Sequence, residues 1–294
     1  MPCDLDCILK SFPMTTELRR RWLIRLGKLA LVLLVAFLML HWFELRLTYY
    51  PTRPLVTSGA DLERAWEDVN FTASDGVKLN GWFFPADTHS SRAHRAVLIC
   101  HGNGGNISHR LELCDALLET GVSVFVFDYR GYGRSEGKPT EAGTYLDAQA
   151  AYGWLREKGF WGTNIIAFGE SLGGGVASEL AVRETVGGLV LQSTFTSVTD
   201  LGAELYPFLP VRTLGRIRYD TRSKLPDIHV PVLVMHSRGD SIIPFHHAER
   251  NFAAANEPKW LHELHGDHND GIVDPVQFRA ALEKLLQQVE PGRL

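Results

Sequence analysis

A serine between two glycines is the residue of this 294-residue chain best suited to covalent chemistry. Positions 169–173 read G-E-S-L-G, with Ser171 at the centre, between an apolar run at 164–168 and a small-residue helical pattern at 172–185. Glycines two residues before and after the serine permit a sharp strand-to-helix turn that exposes the hydroxyl above a sheet. The pattern predicts Ser171 as a nucleophile, although five residues alone also fit an ordinary turn.

Two later loops offer the acid and the base that a serine nucleophile requires. A serine hydroxyl reacts poorly until a base takes its proton, and a third group must orient that base. The apolar run 232–236 leads into Asp240, and the last predicted strand, 260–264, leads into His268. Serine, acid and histidine follow in the order typical of a triad at the edge of a mostly parallel sheet. We predict Ser171, Asp240 and His268 as the catalytic residues.

Other residues near these loops could take the same roles. His265 belongs to the end of the last predicted strand and is expected to be structural, whereas His268 follows a glycine that lets the loop turn back. Asp128 also ends a strand, but it precedes the serine and adjoins a Y-R-G-Y-G loop, so we keep it out of the triad. Asp240 itself could be a turn residue or a helix cap, because Pro244 and a helical pattern follow it.

Acyl transfer also needs hydrogen-bond donors aimed at the oxyanion that forms in the transition state. The amide of Leu172, directly after the serine, is one candidate, and it lies where a helix N-terminus favours negative charge. The second is expected from the loop at 101–106, which reads H-G-N-G-G-N, and we predict the amide of Asn103. A phosphate-binding loop is the alternative, but the segment contains neither G-x-G-x-x-G nor G-K-[ST].

The remaining pattern indicates an α/β fold with a mostly parallel sheet and helices on both faces. Runs at 68–73 and 77–84, joined by Ser74-Asp75-Gly76, predict a hairpin that forms an antiparallel edge. Ser108 is the expected cap of the first helix of the domain. Further strands are predicted at 96–100, 122–127, 164–168, 188–192, 232–236 and 260–264, and helices at 108–120, 140–158, 172–185, 245–255 and 274–289.

Residues 194–230 interrupt this alternation. They contain three prolines and scattered aromatic residues, and they are long enough for a few short helices. The segment is expected to be a small lid-like cap insertion, or else a surface excursion with its own small core.

Composition excludes several function classes. With a net charge of -4 and no basic tract outside the N-terminus, the chain is not expected to bind nucleic acid. The four cysteines, at 3, 7, 100 and 114, form no C-x-x-C, so neither a disulfide framework nor a zinc site is indicated. Cys100 is expected in the core, and no lipidation motif surrounds Cys3 or Cys7. No metal or organic cofactor is implied.

A membrane segment is predicted near the N-terminus. Residues 29–43 are apolar except for His41, but at 1.5 Å per residue they cover only about 22 Å of a core of about 30 Å. Extension back to Trp22 supplies the missing length and gives an anchor at 22–43. A cleaved signal peptide is the alternative, although no A-x-A-like site follows.

The positive-inside rule orients this anchor. Five Arg and Lys residues stand at 19–28, before the apolar run 29–43, and two follow that run closely. This bias predicts a cytosolic N-terminus and a catalytic domain on the non-cytosolic side, periplasmic in a bacterium. The expected organisation is a basic segment at 1–21, the anchor at 22–43, a juxtamembrane connector at 44–66 and a catalytic domain at 67–294.

Four separated motifs together resemble one family. These are H-G-N-G-G-N, F-D-Y-R-G-Y-G-R-S-E-G, G-E-S-L-G-G-G, and the pair R-G-D-S-I-I-P with G-D-H-N-D, which lie within residues 66–290. They resemble the α/β-hydrolase superfamily, and more narrowly the Bem46-like, membrane-anchored serine hydrolases near the S33 peptidases. The resemblance implies Ser171 as nucleophile, Asp240 as acid, His268 as base, and Asn103 and Leu172 as oxyanion-hole amides.

The resemblance also implies a range of substrates. A serine esterase or thioesterase that acts on acyl substrates, lipid-linked ones among them, is the leading hypothesis. The lack of a large cap insertion argues against a deep, enclosed pocket. An S33-like aminopeptidase is the alternative, and it would need acidic residues for the substrate amine, for which Glu170 and Glu136 are candidates. A non-catalytic binding protein on this fold is the third hypothesis; such proteins usually lose a triad residue, and none is missing.

Overall fold

The computed structural model describes residues 15–270 and 272–289 and begins with one long helix, α1 (Thr16–Thr48). Within α1, an 18-residue window has a mean hydropathy of 2.4 and no buried residue. By length and composition α1 fits a membrane anchor or a signal sequence, and the predicted span at 22–43 lies inside it. The first 14 residues of the predicted basic segment, with Cys3 and Cys7, lie outside the described residues.

The chain divides into two units between Leu47 and Thr48. The second unit contains an eight-stranded sheet in the order β10-β9-β8-β7-β4-β6-β3-β2 and a small pair, β1-β5. The strands are β1 (Tyr50–Pro51), β2 (Glu67–Thr72), β3 (Lys78–Phe84), β4 (Ala96–Cys100), β5 (Gly104–Gly105), β6 (Ser123–Phe127), β7 (Ile165–Glu170), β8 (Gly188–Gln192), β9 (Val232–Ser237) and β10 (Lys259–Leu264).

The sheet is parallel except at one edge. Strand β3 runs antiparallel to both β2 and β6, as predicted for the hairpin at 68–84, and Gly76 forms its turn at φ +86°. In the parallel part every residue of β4 and β6 is buried. Such strands require cover on both faces, which the helices supply.

Alternate residues of β6 show how both faces are covered. Val124 and Val126 belong to an apolar cluster with α2 (Leu111–Leu118) and α9 (Pro275–Gln288). Phe125, which points the other way, packs against Trp154 of α3 (Glu141–Glu157) at 4.6 Å between ring centroids. The predicted mostly parallel sheet with helices on both faces is therefore confirmed. The other helices are α4 (Leu172–Arg183), α5 (Val198–Leu205), α6 (Val211–Leu214), α7 (Thr221–Lys224) and α8 (His246–Ala254).

The first helix after β4 begins later than predicted. The expected helix at 108–120 is a 3-10 turn (Ile107–His109) followed by α2, and Ser108 is buried rather than placed as its cap. The Asn106 side chain instead accepts the Ser108 amide at 3.0 Å. Asparagine and serine both serve as caps, so their proximity in sequence left the first turn ambiguous.

The insertion at 194–230 folds into short helices, α5 to α7. None of the residues of α5 or α6 is buried, and the side chain of Phe208 between them is 78% exposed. Tyr219 holds the insertion to the body, because its buried hydroxyl lies 2.8 Å from that of Thr144 on α3. We refer to this insertion of short helices, 194–230, as the cap.

The predicted connector at 44–66 has a different structure. Its first residues continue α1 to Thr48, and β1 then pairs in parallel with β5, Tyr50 opposite Gly104. The prolines at 51 and 54 suggested a connector, but proline is also compatible with an edge strand, where its missing amide is not needed.

Candidate active site

The turn between β7 and α4 holds Ser171 in a rare backbone conformation, at φ +53°. Its amide donates to the Gln192 carbonyl at 2.9 Å, and the Thr194 hydroxyl donates to its carbonyl at 2.6 Å. The flanking glycines are required by close approach: a Cβ on Gly173 would collide with the Cys100 carbonyl, and one on Gly169 would lie 2.5 Å from Gly173. These contacts over-determine the turn and hold its strain.

The structure brings the three predicted catalytic side chains together. His268 Nε2 lies 3.1 Å from Ser171 Oγ, and His268 Nδ1 lies 2.7 Å from Asp240 Oδ2. The side chains of His268 and Asp240 are 8% and 0% exposed, so little water competes for these bonds. With a carboxylate on Nδ1, the neutral imidazole carries its proton there, and Nε2 is free to accept the serine proton.

Asp240 stabilises the turn that follows β9 and also orients His268. Its Oδ1 accepts the amides of Ile242 and Ile243 at 2.9 and 2.7 Å, while Oδ2 faces His268. Burial opposes ionisation of this carboxyl, but hydrogen bonds from His236, His268 and the Ile243 amide outweigh it and hold the pKa of Asp240 well below its usual range. The carboxylate is therefore charged at neutral pH.

His236 is a site residue that the sequence reasoning missed. Its side chain is fully buried at the end of β9, and Nε2 lies 2.8 Å from the Ile243 carbonyl and 3.1 Å from Asp240 Oδ2. A carbonyl can only accept, so Nε2 carries the proton and donates it to the Ile243 carbonyl, with the Asp240 carboxylate beside this bond. The only available signal was its position at the carboxyl end of a predicted strand.

The glycine-rich loop at 101–106 lies directly against the serine turn. A Cβ on Gly102 would stand 3.5 Å from the Cβ of Ser171. The buried His101 donates from Nδ1 to the Gly102 carbonyl at 2.7 Å, and burial lowers the pKa of His101 to about 3, so the ring is neutral. In a trans peptide the carbonyl and the amide point in opposite directions, so this bond also directs the amide of Asn103.

The two predicted oxyanion donors remain available for a ligand. The amide of Leu172 opens α4, where the first helical amides lack partners. Throughout residues 15–270 and 272–289, neither this amide nor that of Asn103 donates to a protein acceptor. Asn103 is fixed through its carbonyl, which accepts from the Tyr50 amide at 3.1 Å and the Tyr132 hydroxyl at 2.8 Å.

The acidic residues considered for binding a substrate amine have other partners. Glu170 accepts from Nε of Arg110 at 2.7 Å, and Arg110 also donates to the Gly104 carbonyl at 3.1 Å. The negative charge of Glu170 is thus compensated beside the serine by an arginine that the sequence reasoning had not singled out. Glu136 is exposed, and its backbone joins β3 through the Lys78 carbonyl.

Asp128 and His265 lie apart from the hydrogen bonds of Ser171. Asp128 is buried and accepts the Ile107 amide at 3.0 Å, and burial raises the pKa of Asp128 to about 7. It supports the helix start that follows the glycine-rich loop. The side chain of His265 is 64% exposed, and its nearest acid is Asp274 at 3.9 Å.

One group in the described part of the chain has the composition of a metal site: Glu204 on α5 with His246 and His247 on α8. The Thr196 amide donates to Nδ1 of His247 at 3.1 Å, so the proton of that neutral ring is on Nε2, which faces Glu204 at 3.3 Å. Arg250 also lies 3.2 Å from Glu204. The nitrogens of His247 already hold a proton or accept a hydrogen bond, and the Glu204 carboxylate already pairs with Arg250. The group therefore fits an ion-paired link between cap and body better than a metal centre.

Comparison with known proteins bears on the fold and the family of this chain. The family model described as "Serine aminopeptidase, S33" matches residues 91–219, which include the glycine-rich loop and Ser171. The Mycobacterium tuberculosis protein Rv2307c is 42% identical over 88% of this chain and 94% of its own length. The esterase Pf2001 of Pyrococcus furiosus superposes with a TM-score of 0.68 at 23% identity, over 82% of this chain and 98% of its own.

Two relatives define the group more narrowly. The α/β-hydrolase domain-containing protein WAV2 of Arabidopsis thaliana is 33% identical over 72% of this chain and 76% of its own length. Protein bem46 of Schizosaccharomyces pombe is 29% identical over 72% of this chain and 75% of its own. The chain therefore belongs to the α/β-hydrolase family, which confirms the resemblance seen in the motifs. Within that family it is a Bem46-like hydrolase.

Proposed function

We propose that this protein is a membrane-anchored serine hydrolase that cleaves ester or thioester bonds of acyl substrates. The observation that carries the proposal is the continuous hydrogen-bonded series from Ser171 through His268 to Asp240, at 3.1 and 2.7 Å. Nucleophile, base and orienting acid within hydrogen-bond reach are the arrangement that activates a serine. The catalytic domain spans 67–294, with the segment at 194–230 as its cap.

The reaction proceeds through an acyl-enzyme. Ser171 Oγ attacks the carbonyl carbon while His268 Nε2 takes its proton, and the resulting oxyanion accepts hydrogen bonds from the amides of Asn103 and Leu172. Collapse breaks the bond to the leaving group, an alcohol or a thiol, which takes the proton from His268. A water molecule then attacks the acyl-enzyme and gives one proton to His268. Collapse of this second intermediate releases the acid, and His268 returns the proton to Ser171 Oγ. Asp240 stabilises the imidazolium in both steps.

A substrate panel tests this proposal. The full chain in detergent should hydrolyse p-nitrophenyl esters and acyl thioesters, because alcohols and thiols leave more readily than amines from the tetrahedral intermediate. Aminoacyl-naphthylamides should react far more slowly. A fluorophosphonate probe should label the protein with a stoichiometry that reports the active fraction. Folded protein that neither turns over an ester nor takes the label would contradict the proposal and favour a binding protein on the same fold.

An aminopeptidase is the second candidate, and the description of the matching family model favours it. Such an enzyme must hold the free amine of its substrate, usually with carboxylates. Glu170 is the nearest candidate, but its ion pair with Arg110 offsets its charge. Naphthylamide hydrolysis faster than ester hydrolysis, lost when the substrate amine is acetylated, would decide for the aminopeptidase.

We propose further that α1 is an uncleaved anchor with a cytosolic N-terminus. Support comes from the exposed apolar side chains along α1, and from five cationic residues at 19–28, before the apolar run 29–43, against Arg46 and Arg53 after it. Lipid-linked acyl substrates are then the first to test. A C-terminal tag should be digested by protease added to intact spheroplasts; a protected tag would contradict this orientation, and a shortened N-terminus would indicate a cleaved signal peptide.

A further inference from the structure

The segment at 48–57 binds the glycine-rich loop at residues 103–106. The Tyr50 amide donates to the Asn103 carbonyl and the Thr52 amide to the Gly105 carbonyl, each at 3.1 Å. These two bonds form the β1-β5 pair, which is separate from the main sheet. The carbonyls of Asn103 and Gly105 therefore accept from backbone amides about fifty positions earlier in the chain.

Side chains of the loop reinforce the pairing. Asn103 Nδ2 donates to the Thr48 carbonyl at 3.2 Å. Asn106 Nδ2 donates to the carbonyls of Thr52 and Pro54 at 2.9 and 2.8 Å. Asparagine amides that bind successive carbonyls of one segment hold it in a single register against the loop. Asn103 and Asn106 are the two asparagines of the H-G-N-G-G-N motif.

The 48–57 segment is itself fixed to the body of the domain. The Tyr49 hydroxyl lies 2.9 Å from that of Tyr219 in the cap, and both rings are buried. The Thr52 carbonyl accepts the Gly133 amide at 3.0 Å, in the loop after β6. The segment therefore connects the glycine-rich loop to two neighbouring parts of the fold and cannot move independently of them.

The glycine-rich loop needs such external support. Ordering one residue costs about 1–2 kcal/mol in backbone entropy, and glycine loses the most freedom. Gly104 has no packing at the position of a Cβ, so the loop cannot be held there by side-chain contacts. Hydrogen bonds to its backbone and from its two asparagine side chains are therefore left to hold it.

We propose that the 48–57 segment positions the oxyanion hole. The inference rests on the proposed function, in which the Asn103 amide stabilises the oxyanion. That amide belongs to the peptide oriented by His101, and the Asn103 carbonyl belongs to the next peptide, held by Tyr50. With both peptide planes fixed, neither backbone torsion of Asn103 can change. The linker between the apolar helix and the catalytic domain is thus part of the active-site structure.

Two variants of the full chain test this inference. Thr52→Pro removes the amide that donates to Gly105, while Thr52→Ala keeps that amide and reports the effect of the side chain alone. Asn106→Asp keeps the oxygen that accepts the Ser108 amide but removes the donors to Thr52 and Pro54. Relative to Thr52→Ala, we expect Thr52→Pro to lower kcat about 10- to 100-fold, somewhat less than loss of an oxyanion donor itself, with KM nearly unchanged.

A positioning role has signatures that simple destabilisation lacks. Affinity for a trifluoromethyl ketone, whose adduct with the serine carries an oxyanion, should fall by the same factor as kcat. The pH profile of kcat should keep its shape, because His268 and Asp240 are untouched. Asn106→Asp should change both quantities in the same direction, and its melting temperature shows whether it is folded.

The outcomes separate the two proposals. Wild-type kcat and ketone affinity in folded Thr52→Pro would overturn the inference. If Thr52→Pro does not fold, the same result in folded Asn106→Asp would overturn it. Should the wild type hydrolyse nothing, the proposed function fails, and hydrogen exchange then decides on the segment by itself. Amides at 101–106 should exchange at least tenfold faster in Thr52→Pro than in Thr52→Ala, and equal exchange would overturn the inference.

Discussion

Ser171→Ala should lower kcat for a p-nitrophenyl ester by about 10⁴- to 10⁶-fold, as expected when the nucleophile of a triad is removed. Without Oγ, no acyl-enzyme forms, and only the amides and the binding surface remain to assist direct attack by water. KM should change little, because Oγ contributes mainly to the transition state. The measurement is steady-state hydrolysis by the purified full chain, together with fluorophosphonate labelling, which should disappear in the variant.

Ser178→Ala is the matched control. Ser178 is another buried serine, seven residues after Ser171 and within α4. Its hydroxyl donates to the Gly174 carbonyl of the same helix at 2.7 Å. Its loss should leave kcat within about twofold and cost about 1 kcal/mol of stability, the net value of one hydrogen bond. Turnover by folded Ser171→Ala at a rate close to that of this control would refute the assignment of the nucleophile.

Asp240→Asn should lower kcat by about 10⁴-fold while leaving the overall fold in place. The Ile242 and Ile243 amides both point at Oδ1, so the amide oxygen of the new side chain must stay there. Its NH₂ group then faces His268 Nδ1, which forces the proton of the imidazole onto Nε2. In that tautomer His268 cannot accept the proton of Ser171, so catalysis fails although every group is close to its original position.

The same variant should show a pH-dependent loss of stability. The pKa of Asp240 is held well below its usual range, so ionised Asp240 stabilises the folded state above the unfolded pKa of about 4, and this contribution is lost as pH falls towards the folded pKa. The difference in melting temperature between wild type and Asp240→Asn should therefore be larger at pH 7 than at pH 3.

Asp274→Asn controls for a neutral substitution near the same loop. Asp274 caps α9 by accepting the Gln277 amide at 3.0 Å, and asparagine caps about as well. Activity of this variant should match that of wild type. A similar loss of activity in both variants would show that general disturbance of the histidine loop, rather than the tautomer of His268, accounts for the effect.

Local chemistry explains why much of the fold could be predicted. Strands such as β4 and β6 are continuous apolar runs bounded by polar turns, and buried parallel strands require that composition. Gly121 and Gly159, at φ +84° and +102°, lie shortly after the ends of α2 and α3, where the sequence predicts that these helices stop. The glycines at 169 and 173 indicated the tight turn around Ser171, because no larger residue fits at either position.

The groups that support the site could not be predicted in the same way. His236 and Arg110 are ordinary residues at a strand end and beside a helix, and their importance comes from partners 4 and 60 positions away, Asp240 and Glu170. No local sequence pattern indicates that either residue meets its partner. Tertiary packing alone selects which of 34 acidic and 30 basic residues meet beside the serine.

The amino-acid sequence by itself determined the class of this protein, the turn around Ser171 and the identity of its predicted partners Asp240 and His268, because each stands in a local pattern with a physical cause. Only the tertiary structure decided that the segment after the apolar helix pairs with the glycine-rich loop. On the side of the segment, the bonds to the glycine-rich loop use only backbone amides and carbonyls. Nearly every residue type possesses these groups, so no side-chain pattern at 48–57 indicates the bonds.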